Sequence, residues 1–332
     1  MLKRRTFAAW SPDLLVCCLA VQLLVTPGVG EAGQRSKQKA RPHAPKAAAA
    51  AAVDEQLLAT QVMLDRAGYS PGEIDAVRGT STDRALAAFA KSGGKADAVP
   101  ADAVTTYTIT EQDAAGPFTP AIPSDMAEMA KLPALGYTNL REMLGERFHV
   151  SPALLARMNP SATFAAGETI KVPNVASAVA PVGPPPGRQN DPNNPAITTL
   201  TVRKSSSDVT VTDNAGTVLM YAPVTTGSEH DPLPIGEWKV TGVQRDPKFH
   251  YNPALFWDAE PGHAKATIPA GPNNPVGVVW VDITRPHYGL HGTPEPSKIG
   301  KTESHGCVRL TNWDAQKLAS LVRPGTRVVF AE

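Results

Sequence analysis

The pattern of apolar positions divides the chain into a helical first half and a strand-rich second half. Between residues 53 and 92, and again between 135 and 175, leucine, valine and methionine recur every three to four positions, which predicts amphipathic helices. After residue 196, short β-branched runs alternate with turn residues, which is typical of an all-β unit. The predicted strands are 198–202, 209–212, 218–221, 238–243, 276–283 and 327–330, with one helix over 314–322.

Stretches without apolar periodicity set the predicted boundaries. Residues 176–196 contain six prolines and predict an extended, semi-rigid linker. A second linker is predicted at 33–53, which ends in an alanine run. The remaining units are a helical domain at 54–121, a small α+β module at 122–175, and a mainly-β, sandwich-like domain at 197–332. Because such linkers usually separate independent units, we expect 197–332 to fold alone.

Residues 1–32 predict a secretory signal peptide. Three basic residues at positions 3–5 precede an apolar stretch at 14–25, and small residues follow it. The apolar stretch is shorter than the roughly 20 residues of a membrane-spanning helix. We therefore favour cleavage and export to the periplasm or cell envelope, with contact to the membrane only through an uncleaved signal anchor.

Charge and cysteine content narrow the function classes. The chain has 32 lysines and arginines against 31 aspartates and glutamates, so its charge gives no case for binding nucleic acid or an anionic membrane surface. Cys17 and Cys18 lie in the predicted signal, which leaves Cys307 as the lone thiol of the mature chain. Such a cysteine is either inert or reactive. The nearby histidines and Arg309 favour a reactive thiol with a lowered pKa.

The residues around Cys307 resemble the signature of the YkuD-type L,D-transpeptidases. His291-Gly292-Thr293 is followed by Ser-His-Gly-Cys-Val-Arg-Leu at 304–310, with sixteen positions from His291 to Cys307. The resemblance covers roughly 197–330, although Leu233 replaces a threonine that is usual in the family. It implies a peptidoglycan L,D-transpeptidase that acts on tetrapeptide stems and needs no cofactor.

The resemblance also implies roles for individual residues. Cys307 is the expected nucleophile, His291 the general base and then acid, and the backbone carbonyl of Gly292 the group that orients the imidazole. The N–H groups of Gly306 and Cys307 are the expected oxyanion donors. Further residues are predicted near the oxyanion or the substrate, with purely structural roles left open: Ser304, His305 and Arg309.

Other interpretations stay open at this point. His287, His291, His305 and Cys307 offer four zinc ligands, but His287 follows a proline in a non-helical stretch, so we favour a site without metal. The domain could cleave stems as a carboxypeptidase or endopeptidase. It could also be an inactive scaffold that binds the cell wall, against which the intact Cys/His pair argues.

The two units before the proline-rich linker also resemble wall-associated modules. Residues 54–92 resemble a peptidoglycan-binding helical repeat, and 135–175 resemble a LysM module with its first strand at 135–138. The implied partners are wall glycan besides stem peptides, with a lipoprotein lysine among the acceptors. The alternative is a helical domain that only supports its neighbour. The matching residues are Gly68, Tyr69, Gly72, Asp75, Gly79 and Thr82 in the first unit, and Phe148, Val150, Ser151, Leu154, Asn159, Gly167, Ile170 and Pro173 in the second.

Overall fold

The computed structural model describes residues 52–175, 197–259 and 262–332, which belong to one compact unit. The predicted signal peptide, most of the linker at 33–53 and the whole linker at 176–196 lie outside the described residues. Within the described ranges, no helix is both long and apolar enough to cross a membrane.

The N-terminal part, residues 52–175, is built mainly from helices. Side-chain caps set several helix starts: Asp54 accepts from the N–H of Leu57, and Ser151 accepts from the N–H of Leu154. The elements are α1 (Glu55–Arg66), α2 (Thr80–Lys91), β1 (Val104–Thr108), α3 (Glu111–Ala115), α4 (Met126–Met129), α5 (Leu140–Arg147), α6 (Pro152–Met158) and β2 (Thr169–Pro173).

The strands β1 and β2 join the two predicted N-terminal units. They pair antiparallel, from Val104 opposite Pro173 to Thr108 opposite Thr169. The expected first strand at 135–138 is therefore wrong, since that segment is irregular and the N–H of Leu135 instead donates to the carbonyl of Ala270. The pairing crosses the predicted boundary at 121/122, and both units share one core. Its fully buried members include Val62, Ile74, Leu144, Leu154 and Val172.

The mainly-β prediction for the C-terminal part is confirmed. Each predicted strand and the predicted helix is present, with small shifts at their ends. The elements are β3 (Ile197–Arg203), β4 (Asp208–Asp213), β5 (Val218–Pro223), β6 (Gly236–Arg245), β7 (Phe249–Tyr251), β8 (Ala266–Ile268), β9 (Val279–Ile283), β10 (Gly289–His291), β11 (Val308–Arg309), α7 (Asn312–Leu321) and β12 (Arg327–Ala331).

The long strand β6 connects two halves of an eight-stranded sheet with the order β11-β10-β9-β6-β12-β3-β4-β5. Its first residues pair with β12 and its later residues with β9, with a register shift between Val240 and Gly242. Both halves pack on one core together with α7. Thr225, just beyond β5, pairs with Arg309 of β11, so the curled sheet closes beside the Cys307 motif.

The N-terminal part packs directly on the sheet and on α7. The N–H of Ser70 donates to the carbonyl of Tyr221 and the N–H of Tyr221 to the carbonyl of Gly68, both at 2.9 Å, which covers the edge of β5. The Ser70 hydroxyl donates to Asp314 of α7 at 2.9 Å. Residues 197–332 therefore share a buried interface with the preceding part, which the linker composition did not predict.

Replacing Ser70 with alanine should lower the free energy of unfolding by about 1–3 kcal/mol, because the buried Asp314 carboxyl loses a donor. The matched control is Ser92→Ala at the exposed end of α2, where the hydroxyl donates to the Ala88 carbonyl. It should cost less than about 0.5 kcal/mol. Urea unfolding followed by circular dichroism measures both values, and equal losses would contradict the prediction.

Candidate active site

The parallel pairing of β10 with β11 brings the signature residues together. Leu290 lies opposite Val308 and His291 opposite Arg309, so Cys307, just before β11, is level with Gly289. Leu290 and Val308 are fully buried in the core. Because side chains alternate between the faces of a strand, Cys307, His291 and Arg309 all project from the opposite face.

The His291 side chain is held in one orientation and one protonation state. Its Nδ1 lies 2.7 Å from the carbonyl oxygen of Gly292, and a carbonyl can only accept, so Nδ1 carries the proton. Trp280, its register partner on β9, stacks on the ring at 5.5 Å between centroids. Burial, with a smaller effect of Arg309, lowers the pKa of His291 to about 4, against the opposing effect of the Gly292 bond. The ring is therefore neutral at neutral pH, with Nε2 free to accept a proton.

Cys307 is partly exposed and its thiol donates toward the carbonyl of His287, with Sγ 3.7 Å from that oxygen. Burial raises the pKa of the thiol; the N–H of Gly289 and the charge of Arg309 oppose this, and Asp231 adds to it. The expected lowering of this pKa is therefore wrong in direction, because desolvation outweighs the nearby cation. At neutral pH the pair is therefore a neutral thiol beside a neutral imidazole.

A tight turn presents Cys307. The hydroxyl of Ser304, a buried residue, donates to the Cys307 carbonyl at 2.6 Å, which identifies Ser304 as a residue that shapes the turn. Gly306 has φ +97°, and a Cβ there would lie 2.5 Å from Cε1 of Tyr288, so a larger residue does not fit. The hydrogen bonds of the described residues leave the N–H groups of Gly306 and Cys307 without a protein acceptor. Both are suited to a negatively charged oxygen.

His305 and Arg309 face different neighbours. His305 Nε2 lies 2.8 Å from a carboxylate oxygen of Asp258, and its ring contacts Phe256 with 5.0 Å between centroids, so it is bound to the segment between β7 and β8. Arg309 donates from Nη1 to the Glu303 carbonyl at 3.4 Å. Its backbone exchanges two hydrogen bonds with Thr225, at 2.9 and 3.0 Å. Arg309 acts electrostatically on the thiol, and each of the two side chains has a structural partner.

Two of the four side chains that could ligate zinc have other partners. The ring nitrogens His291 Nδ1 and His305 Nε2 are engaged by Gly292 and Asp258. Among the residues that the structure describes, no group of three or more histidine, cysteine or acidic side chains is arranged to hold a metal ion.

Sequence reasoning missed two groups that act on the site. Asp258 reaches His305 across 47 positions, and Asp231 influences the thiol from the loop before β6. Neither aspartate belongs to a motif, so the sequence carries no signal for them. Trp280, which stacks on the His291 ring, also belongs to no motif.

Comparison with known proteins identifies the C-terminal domain. Residues 197–330 match the YkuD family, the L,D-transpeptidase catalytic domain. The putative L,D-transpeptidase YkuD of Bacillus subtilis (strain 168) is 29% identical over 185 residues, which cover 55% of this chain and 88% of the relative. That stretch is longer than 197–332, so the match begins before residue 197. The chain therefore carries a YkuD-type L,D-transpeptidase catalytic domain.

Other relatives match over shorter stretches. The probable L,D-transpeptidase YbiS of Escherichia coli (strain K12) is 48% identical over 67 residues, or 20% of this chain and 22% of that protein. The crystal structure of L,D-transpeptidase 3 from Mycobacterium tuberculosis in complex with a faropenem-derived adduct is 20% identical, with a TM-score of 0.35 over 42% of this chain and 61% of that chain. Because that TM-score is low, the assignment rests on the sequence matches.

The rate at which iodoacetamide alkylates Cys307 should rise with pH and reach its midpoint above the usual thiol pKa of about 8.5, because alkylation needs the thiolate and burial disfavours it. Arg309→Gln should move the midpoint higher still by removing a positive charge. The control is Arg323→Gln, at an exposed arginine after α7, and should leave it unchanged. Peptide mass spectrometry identifies the labelled thiol. A midpoint below that of free cysteine would contradict the raised pKa of the Cys307 thiol.

Proposed function

We propose that this enzyme is a peptidoglycan L,D-transpeptidase that forms a thioester between Cys307 and a tetrapeptide stem and then transfers the acyl group to an amine. The observation that carries the proposal is the shared face of Cys307 and His291 on paired strands, with His291 Nδ1 bound to Gly292 and Nε2 left as the acceptor. That arrangement suits a thiol that must lose its proton as it attacks.

In the acylation step, Cys307 Sγ attacks the carbonyl carbon of the bond between the L-centre of the third stem residue and D-alanine. The thiol proton passes to His291 Nε2, and the N–H groups of Gly306 and Cys307 stabilise the oxyanion. The C–N bond then breaks, and the imidazolium returns the proton to the departing amine of D-alanine. The Gly292 carbonyl steadies the imidazolium formed in between, because it accepts from Nδ1 in both states.

In the second step, an acceptor amine attacks the thioester, His291 takes its proton, and the thiol is regenerated. An amine of a second stem gives a cross-link, and a lipoprotein lysine gives an anchored lipoprotein. A free D-amino acid replaces the released D-alanine, and water gives carboxypeptidase or endopeptidase products. Mass spectrometry of muropeptides after incubation of the full chain with sacculi distinguishes these products. Unchanged sacculi and no thiol acylation by a penem would instead favour an inactive scaffold.

Cys307→Ser should abolish turnover, because a serine hydroxyl gives up its proton far less readily than a thiol does. His291→Ala should slow acylation by a penem about 10²–10⁴-fold, the usual contribution of a positioned general base. The matched control is His287→Asn, at an exposed histidine of the same segment, because asparagine tolerates its φ of +67°. Stopped-flow fluorescence measures the rates. Turnover by the serine variant, or equal rates for the two histidine variants, would refute the roles.

We further propose that the enzyme works in the periplasm or cell envelope after export, and that the N-terminal part binds wall glycan. Export is supported by the basic and apolar pattern of residues 1–32. Glycan binding is supported by the resemblance of residues 54–92 and 135–175 to wall-binding modules. Such binding would raise the local concentration of stem peptides near Cys307.

The full-length Cys307→Ser protein should sediment with insoluble sacculi and be released by soluble N-acetylglucosamine oligomers. Two weak modules on one chain can raise apparent affinity by orders of magnitude, so release should need high oligomer concentrations. Quantification of the pellet by gel electrophoresis measures this, with cellulose as the control polymer. Sedimentation that the oligomers leave unchanged would mean that the N-terminal part only supports the catalytic domain.

A further inference from the structure

Asn312, the first residue of α7, links the N-terminal part to the catalytic histidine. Its side chain is fully buried. The Oδ1 atom accepts from the N–H of Val278 at 3.1 Å. The Nδ2 atom donates to the carbonyl of Pro272 and to the carboxylate of Glu146 on α5, both at 3.1 Å. Both protons of the amide are therefore used, one of them across the interface.

The same amide contacts the backbone that orients His291. A Cβ at Gly292 would lie 2.2 Å from Asn312 Oδ1, and a Cβ at Gly277 would lie 2.0 Å from it. The amide thus fills the space that these two glycines leave open. Since the Gly292 carbonyl holds His291 Nδ1 at 2.7 Å, any shift of the amide moves the group that orients the imidazole.

Glu146 holds the Asn312 amide from the N-terminal side, in the orientation that the Pro272 carbonyl and the Val278 N–H also require. If the amide were reversed, its oxygen would face two acceptors, the Glu146 carboxylate and the Pro272 carbonyl, and its NH₂ group would face the N–H of Val278. All three contacts would then be repulsive. Glu146 is itself held by the hydroxyl of Tyr137, which donates to its other oxygen at 3.4 Å.

A second contact fixes the same loop from the N-terminal side. Asn273, next to Pro272, donates to the Glu142 carboxylate at 2.7 Å and to the Gly136 carbonyl at 2.9 Å. Glu142 and Glu146 lie one helical turn apart on α5. One face of that helix therefore holds both Asn312 and the loop that packs against Gly292.

We propose that Glu146 is a positioning residue for His291, which it orients through Asn312 and Gly292, so that the N-terminal part completes the catalytic centre. The proposal rests on the proposed role of His291 as the base. It assigns to the N-terminal part an effect on the chemical step, separate from any binding of glycan.

The test compares Glu146→Ala with Glu146→Gln in the full chain. Alanine removes the acceptor, and penem acylation should slow about 10–100-fold at saturating penem, with little change in the concentration for half-maximal rate, since a small misplacement of a catalytic group has effects of this size. Glutamine keeps an oxygen for Asn312 Nδ2 and should restore the rate to within about threefold of the parent. Ser70→Ala loosens the same interface without touching Asn312 and should leave the rate within about twofold.

A spectroscopic measurement separates this proposal from the proposed function. The His291 Nδ1 proton, observed by ¹⁵N-resolved NMR, should shift in Glu146→Ala and keep its position in Glu146→Gln and Ser70→Ala. This signal needs no turnover, so it tests the link even if no acyl donor reacts. An unshifted proton in Glu146→Ala, equal slowing by alanine and glutamine, or equal slowing by Ser70→Ala would each overturn the proposal.

Discussion

The parallel pairing of β10 with β11 is the constraint on which the candidate active site depends. The two strands have only three and two residues, too few to hold a register by themselves. β9 pairs with β10, and Thr225 pairs with β11, so both strands are held by a further neighbour. Burial of Leu290 and Val308 in the core also fixes the register. A slip of one position would send Cys307 and His291 to opposite faces of the sheet.

The sequence alone predicted the elements whose apolar residues recur at a regular spacing. It also singled out the residues that belong to a motif. Strands such as β4 and β5 bury β-branched and apolar residues in a core, and the pattern of those residues predicts them. By contrast, β10 and β11 are too short to show a regular alternation of apolar and polar residues. β1 was missed because its residues are almost all exposed. Their existence depends on partners that are distant in the sequence.

The electrostatics of the site could not be predicted for a related reason. Sequence neighbours of Cys307 include a cation and a histidine, and on that basis its thiol pKa should fall. In the structure, burial of the thiol raises its pKa instead, and that burial depends on the whole fold. His305 gives a similar example, because its partner Asp258 comes from the excursion between β7 and β8.

The interface between the two parts of the chain is polar and aromatic as well as apolar. His149 stacks on Trp313 with 5.1 Å between centroids, and buried hydrogen bonds join Ser70 to Asp314 and Glu146 to Asn312. Such groups lose much of their hydrogen bonding if the parts dock at another angle, so they select one arrangement. The buried contacts therefore determine how the two parts are oriented.

The backbone bonds from Gly68 and Ser70 to Tyr221 have a consequence for biosynthesis. An uncovered edge strand invites pairing with other chains and so promotes aggregation. Translation delivers the N-terminal residues first, and early domains can fold before later ones appear. The segment that shields β5 is therefore already synthesised when β5 emerges from the ribosome. Because the covering segment precedes β5 in the chain, it is available as soon as that strand forms. In the reverse order, the edge of β5 would stay uncovered until the rest of the chain had been made.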